Sequence, residues 1–200
     1  MFTKMQEGQR YIYILLSSTH TVPARLIRLL TREPYSHTSL ALDVELREMY
    51  SFARKHIYNP FNSGFVDENI ETGIFGRDKN VQCSVYAIPV TEEQYRRVKK
   101  ELQNFIQNRE IYSYNYLGLL GAFVGRNVDS ERNYFCSQFV SYVLNESGIK
   151  LFRKKTGLIR PFDFHIRLKE YQIYKGSLSE YRKYLQQNDM NNLENYAEAI

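Results

Sequence analysis

The chain has no tryptophan, two cysteines, five prolines, and no apolar run approaching the ~20 residues of a spanning helix. The polar residues Met1 to Arg10 lead into Tyr11-Ile12-Tyr13-Ile14-Leu15-Leu16, too short and too β-like for a signal core. No secretion signal is therefore expected. A reducing, cytoplasmic compartment is expected instead, where both thiols stay free. Neither cysteine has a Cys or His neighbour at ligand spacing, so no metal and no cofactor are expected. A dense basic stripe is also missing. The formal charge is +5, but the cations are scattered among acids, and Arg153-Lys154-Lys155 is the one tight cluster in the later half. No element interleaves basic and aromatic residues, which argues against nucleic-acid binding.

The 43% apolar content excludes a disordered chain. No internal linker or repeat is visible, so a single domain over 1–185 is expected, with a polar tail over 186–200. Tyr11 to Ser17 reads as a buried strand, and Pro23 opens a predicted helix through Leu26, Ile27, Leu29 and Leu30. His37 to Leu42 and Leu46 to Ala53 read as a hairpin. The segment 54–80, with its Pro, Asn, Gly and Asp punctuation, reads as a long irregular excursion holding at most one short helix.

Val81 to Ile88 reads as a strand. Thr91 with Gln94 forms a capping-box signature for a solvent-facing helix through Val98, Leu102, Phe105 and Ile106. Tyr112 to Val124 is predicted as a short buried core helix, and Ile159 to Phe164 as an ordered return.

Cys136 stands where an irregular segment hands over to a helix, because Phe139, Val140, Val143 and Leu144 follow it at three, four, seven and eight residues. Gly148 supplies a left-handed stop. The first amides of a helix lack intrahelical partners and favour an anionic sulfur. Without a base, a cysteine there is simply a small buried residue. Of the four histidines, His37 opens a strand after Pro34-Tyr35-Ser36 and projects from the mouth of a sheet. His20 precedes a helix, His56 lies in the excursion and His165 lies late, as surface or structural side chains.

Two motifs carry a family resemblance. Ser36-His37-Thr38-Ser39-Leu40-Ala41-Leu42 entering a hairpin, then Tyr134-Phe135-Cys136-Ser137-Gln138-Phe139-Val140 entering a helix, resembles the circularly permuted papain-like cysteine hydrolases, the bacterial YiiX-like group above all. The lecithin:retinol acyltransferase relatives share the histidine-then-cysteine order, and their Asn-Cys-Glu-His-Phe-Val motif is similar to Phe135 to Val140. The resemblance spans about Tyr11 to Leu151. It implies an α+β fold with a small antiparallel sheet against helices, an NlpC-type core, and Cys-His chemistry on amide, ester or acyl-lipid bonds.

The family also uses a third polar residue, usually on the strand after the histidine, to fix the imidazole. Here the candidates are Glu48, Tyr50 and Ser51, and hairpin register chooses among them. A two-residue turn pairs His37 with Phe52 and selects Glu48 and Tyr50. A three-residue turn at Asp43-Val44-Glu45 pairs His37 with Ser51, and we prefer it because small side chains leave room for the Cys136 helix. The expected catalytic set is Cys136, His37 and Ser51, with the Cys136 N–H and Tyr134 as candidates for the oxyanion.

Three functions compete at this point. The first is a thiol hydrolase on an amide bond of a peptide or peptidoglycan fragment. The second is an acyltransferase or lipase on membrane lipids, motivated by the motif and by the aromatic loop Tyr58 to Phe65. The third is a binding protein that keeps the frame without catalysis, motivated by the weakness of a serine as orienter. The partner is accordingly a small molecule, a peptide or a lipid. Nothing in the sequence specifies the substrate or the oligomeric state.

Overall fold

The computed structural model describes residues 9–18, 33–56 and 59–188. The predicted helix over 21–30, His20, Tyr58 and residues 189–200 of the predicted tail lie outside them. The main strands are β1 (Arg10–Ser18), β2 (His37–Ala41), β3 (Met49–His56), β4 (Asn59–Glu68) and β5 (Gln82–Val90). Two short strands follow, β6 (Ser113–Tyr114) and β7 (Asn133–Tyr134), and then β8 (Gln172–Ser177). The helices are α1 (Gly73–Arg77), α2 (Glu92–Gln107), α3 (Tyr116–Phe123), α4 (Cys136–Glu146) and α5 (Pro161–Arg167). Residues 181–188 are also helical.

The protein is mixed α+β. Six strands form one antiparallel sheet in the order β4-β3-β2-β1-β5-β8, and β6 pairs with β7 in a separate parallel ribbon. The continuous apolar run of β1 is explained by burial on both faces. Ile12, Ile14 and Leu16 join one core with Leu40, Phe52, Phe65, Phe105, Phe139 and Val140. Tyr13 and Leu15 join a second core with Ala41, Met49, Phe75 and Val85. With no tryptophan to fill it, the first core is built from interlocked Phe and Tyr rings, Phe52 lying against Phe65, Phe105, Tyr134 and Phe139. Helix α2 forms with the predicted capping box at Thr91 and Gln94 and buries Val98, Leu102 and Phe105. Gly148 takes a φ of 78° just after α4, as a helix stop requires.

Three expectations need correction. The irregular excursion over 54–80 contains a strand, β4, paired with β3 from Met49↔Glu68 to Ala53↔Gly64 and beyond. Its proline and glycine have positional reasons. β4 is the outermost strand, where Pro60 breaks no inner ladder, and at Gly64 a Cβ would lie 2.6 Å from the Tyr112 carbonyl oxygen. Phe65 is therefore core, 1% exposed, and is no part of an interfacial aromatic loop.

The hairpin register is neither of those expected. Leu40 pairs with Tyr50 and Ala41 with Met49. The connection runs from Leu42 to Glu48, where the Asp43 carboxylate accepts from the N–H groups of Arg47 and Glu48 at 3.2 and 2.7 Å and Leu46 adopts a φ of 57°. The offset from the preferred register is two residues. His37, Ser39 and Ser51 therefore keep a common face, because side chains alternate with period two. Helix α4 does not pack on that small-residue face; it covers the opposite one, that of Leu40, Tyr50 and Phe52.

Finally, the Tyr112 to Val124 helix is not core. In α3 it is the small residues Gly118, Gly121 and Ala122 that are buried, while Leu117 is 71% and Leu120 62% exposed.

Candidate active site

His37 begins β2 with its side chain 12% exposed, and its Nε2 lies 2.9 Å from Oε1 of Glu68, itself 12% exposed. The Cys136 sulfur lies near enough to His37 to favour its charged form as well. Burial opposes a charged imidazole. The Glu68 charge, together with the Cys136 sulfur and the hydrogen bond to Glu68, outweighs it and pushes His37 up to about 10. For Glu68, burial alone would favour the neutral acid. The His37 charge and hydrogen bond, then the hydroxyls of Ser39 and Ser51, reverse that and hold the carboxyl below the usual range. Ser39 Oγ donates to Glu68 Oε2. That balance favours an imidazolium paired with the Glu68 carboxylate beside Cys136.

Cys136 is the first residue of α4 and is 2% exposed. The residue before it, Phe135, occupies the cap position with no side-chain acceptor to offer. A missing cap costs about 1 kcal/mol. It also leaves first-turn N–H groups without a side-chain acceptor from the cap residue. The turn is held from elsewhere. Gln138 Oε1 accepts from the Phe135 N–H at 3.3 Å and from Asn115 Nδ2 at 3.3 Å. Ser137 Oγ donates to the Ile159 carbonyl at 2.7 Å. Each polar residue after Cys136 thus anchors the helix start. Ser137→Ala leaves the Ile159 oxygen without that partner and should lower stability by about 1–2 kcal/mol, read as the midpoint of urea unfolding.

The β6–β7 ribbon places Tyr114 opposite Tyr134, two residues before Cys136, and the Asn115 N–H donates to the Tyr134 carbonyl at 3.0 Å. This brings Tyr114 beside Cys136, near enough for the two groups to act on each other's charge. Burial first, and then the Cys136 charge, raise the phenol well above its ordinary value. It therefore stays protonated as a donor. Asn115 fixes the far side, accepting from the Gly118 N–H at 2.7 Å and donating to the Val128 carbonyl at 2.9 Å.

Of the sequence-derived residues, Cys136 and His37 are brought together, and Ser51 is not on the imidazole. Ser51 is fully buried beside Glu68; its Oγ has no partner of good geometry, yet it is close enough to favour the carboxylate charge. Glu48 is exposed, and Tyr50 stacks on Phe65 in the core of the opposite face. Tyr134 packs among Phe52, Phe105 and Tyr142, away from an oxyanion role. His165 Nδ1 is hydrogen-bonded to the Tyr86 hydroxyl at 2.7 Å, as a structural side chain.

Sequence reasoning missed Glu68 and Tyr114. The β-prone pair Phe65-Val66 was the one available signal for the strand that carries Glu68, hidden by the loop-like residues before it. Tyr114 gave no signal, because its placement depends on a two-residue ribbon. Comparisons of the chain with family models, with curated proteins and with solved structures return no match, so the candidate site stands on its own geometry.

Proposed function

We propose that this chain is a thiol hydrolase on the permuted papain-like, NlpC-type frame, cleaving an amide bond of a peptide or peptidoglycan-type substrate through a thioester. The observation that carries the reading is His37 hydrogen-bonded to Glu68 at 2.9 Å and lying beside Cys136 at the start of α4. A positioned nucleophile, a base and a group that orients the base are the three parts this chemistry needs. Glu68 also removes the motive for a non-catalytic reading, since a carboxylate stabilises imidazolium where a serine does not.

The Cys136 thiolate attacks the substrate carbonyl carbon, forming a C–S bond and an oxyanion. The Cys136 N–H and the Tyr114 O–H donate to that oxygen. As the C–N bond breaks, His37 gives its proton to the departing amine and becomes neutral. It then takes a proton from water that attacks the thioester; the C–S bond breaks, releasing acid and restoring the thiolate–imidazolium pair. An acyl-lipid substrate would pass through the same thioester, and the exposed apolar side of α3 favours that second reading.

The test is acyl trapping with activated p-nitrophenyl esters, read by intact-protein mass spectrometry. A hydroxylamine-labile adduct on Cys136, lost in Cys136→Ser with the fold retained, is expected. Tyr114→Phe should slow acylation about 10–100-fold while leaving ester affinity unchanged. No adduct on Cys136 with any ester would remove the proposal.

A further inference from the structure

Helix α3 is packed inside out for a water-facing helix. Gly118, Gly121 and Ala122 face inward, and the space there admits nothing larger: a Cβ on Gly121 would lie 2.4 Å from the Arg126 carbonyl oxygen. Leu117, Leu120 and Val124, spaced three and four residues apart, face out at 71%, 62% and 71% exposure. Val128, at 40% exposure, lies close by, its γ-carbon 3.1 Å from the Cβ position of Gly121. One exposed leucine is ordinary, but a stripe of large apolar residues over buried glycines is not.

The surrounding charge says what covers this face. Exposed Arg126 follows the helix directly. The Thr156–Leu158 turn packs on α3 and is preceded by exposed Lys155, with Arg153 and Lys154 just before it. Lys154 pairs with Asp163 at 2.6 Å. Of the local acids, Asp129 and Glu131 are both exposed, Asp129 also accepting hydrogen bonds from Asn127 and Gln138. Cations exceed acids around the apolar stripe. Apolar side chains ringed by arginine and lysine suit a bilayer with anionic headgroups, where the leucines enter the acyl boundary and the cations meet phosphate.

We propose that α3, with Arg126 and Lys155 beside it, docks the protein on an anionic membrane surface. Tyr114, two residues before α3, then holds Cys136 close to the bilayer plane. The docking surface stands whether the bond cleaved is an amide or an ester.

The absence of tryptophan gives a clean reporter, since Leu120→Trp is then the sole indole in the chain. Full-length Leu120→Trp should shift its emission to the blue with vesicles containing phosphatidylserine, and not with phosphatidylcholine alone. The wild type should sediment with the anionic vesicles. Leu117→Asp/Leu120→Asp should weaken that sedimentation about tenfold or more, with circular dichroism and Cys136 alkylation unchanged. Sedimentation with an unshifted indole would place the contact on another segment and overturn the proposal. No sedimentation at low salt overturns it as well, as does a dimer dispersed by the same substitutions, which would make a second copy the occupant. None of these outcomes bears on acyl trapping at Cys136.

Discussion

His37→Ala is expected to reduce turnover by about four orders of magnitude but Cys136 alkylation at neutral pH by only about tenfold. The two numbers separate two roles of one side chain. Alkylation needs only the thiolate. A few per cent of an ordinary thiol is ionised at pH 7, so pairing with imidazolium is worth at most ~30-fold, and the lower nucleophilicity of a stabilised thiolate takes back part of that. Turnover also needs a proton delivered to the leaving group and later taken from water, and removing one member of such a unit costs far more. Rates of iodoacetamide labelling and of ester or amide hydrolysis on the same preparation check both.

Glu68→Gln is expected to have the second largest effect, and its sign depends on pH. Glu68 opposes the burial that would otherwise discharge His37. Without it the alkaline limit of turnover, which needs the His37 proton, should fall from about 10 toward neutrality. The loss of stability should be about 2–4 kcal/mol, because a buried pair is broken by removing one charge.

Linkage sets the window for that loss. The His37 pKa is raised from 6.5, so its contribution is complete below 6.5 and disappears as pH climbs to about 10. The Glu68 pKa is lowered from 4.5, so its contribution is complete above 4.5 and disappears as pH falls through the lowered value. The difference in melting temperature between wild type and Glu68→Gln should therefore be widest between 4.5 and 6.5. It should close near pH 10. A difference independent of pH would mean that the pair is not ionic.

Much of this site is legible in the sequence, for local reasons. The helix at Cys136 follows from four apolar residues at helical spacing, and the strand at His37 from alternation after Pro34. What depends on long-range pairing is not legible. Glu68 reaches His37 because β4 adds to the outer side of β3, and the punctuation at Pro60 and Gly64 reflects an edge and a close backbone approach. The hairpin register was set by the Asp43 carboxylate on two backbone amides, an interaction that counting turn residues does not reveal. In α3 composition alone was misleading: an apolar segment reads as core, and only the packing of its glycines shows that the leucines face outward.

The most direct test of the Cys136–His37–Glu68 arrangement is the rate of Cys136 alkylation against pH, by peptide mass spectrometry, in wild type, His37→Ala and Glu68→Gln. Cys83 is the reference, 1% exposed and pushed by burial to about 12. In wild type, Cys136 should react rapidly on a plateau from mildly acidic through neutral pH, which both variants lose, their reaction rising only toward the free-thiol range of about 8.5. A Cys136 as slow as Cys83, or a plateau that survives His37→Ala, would contradict an activated thiolate and leave Cys136 as a buried residue of the α4 core.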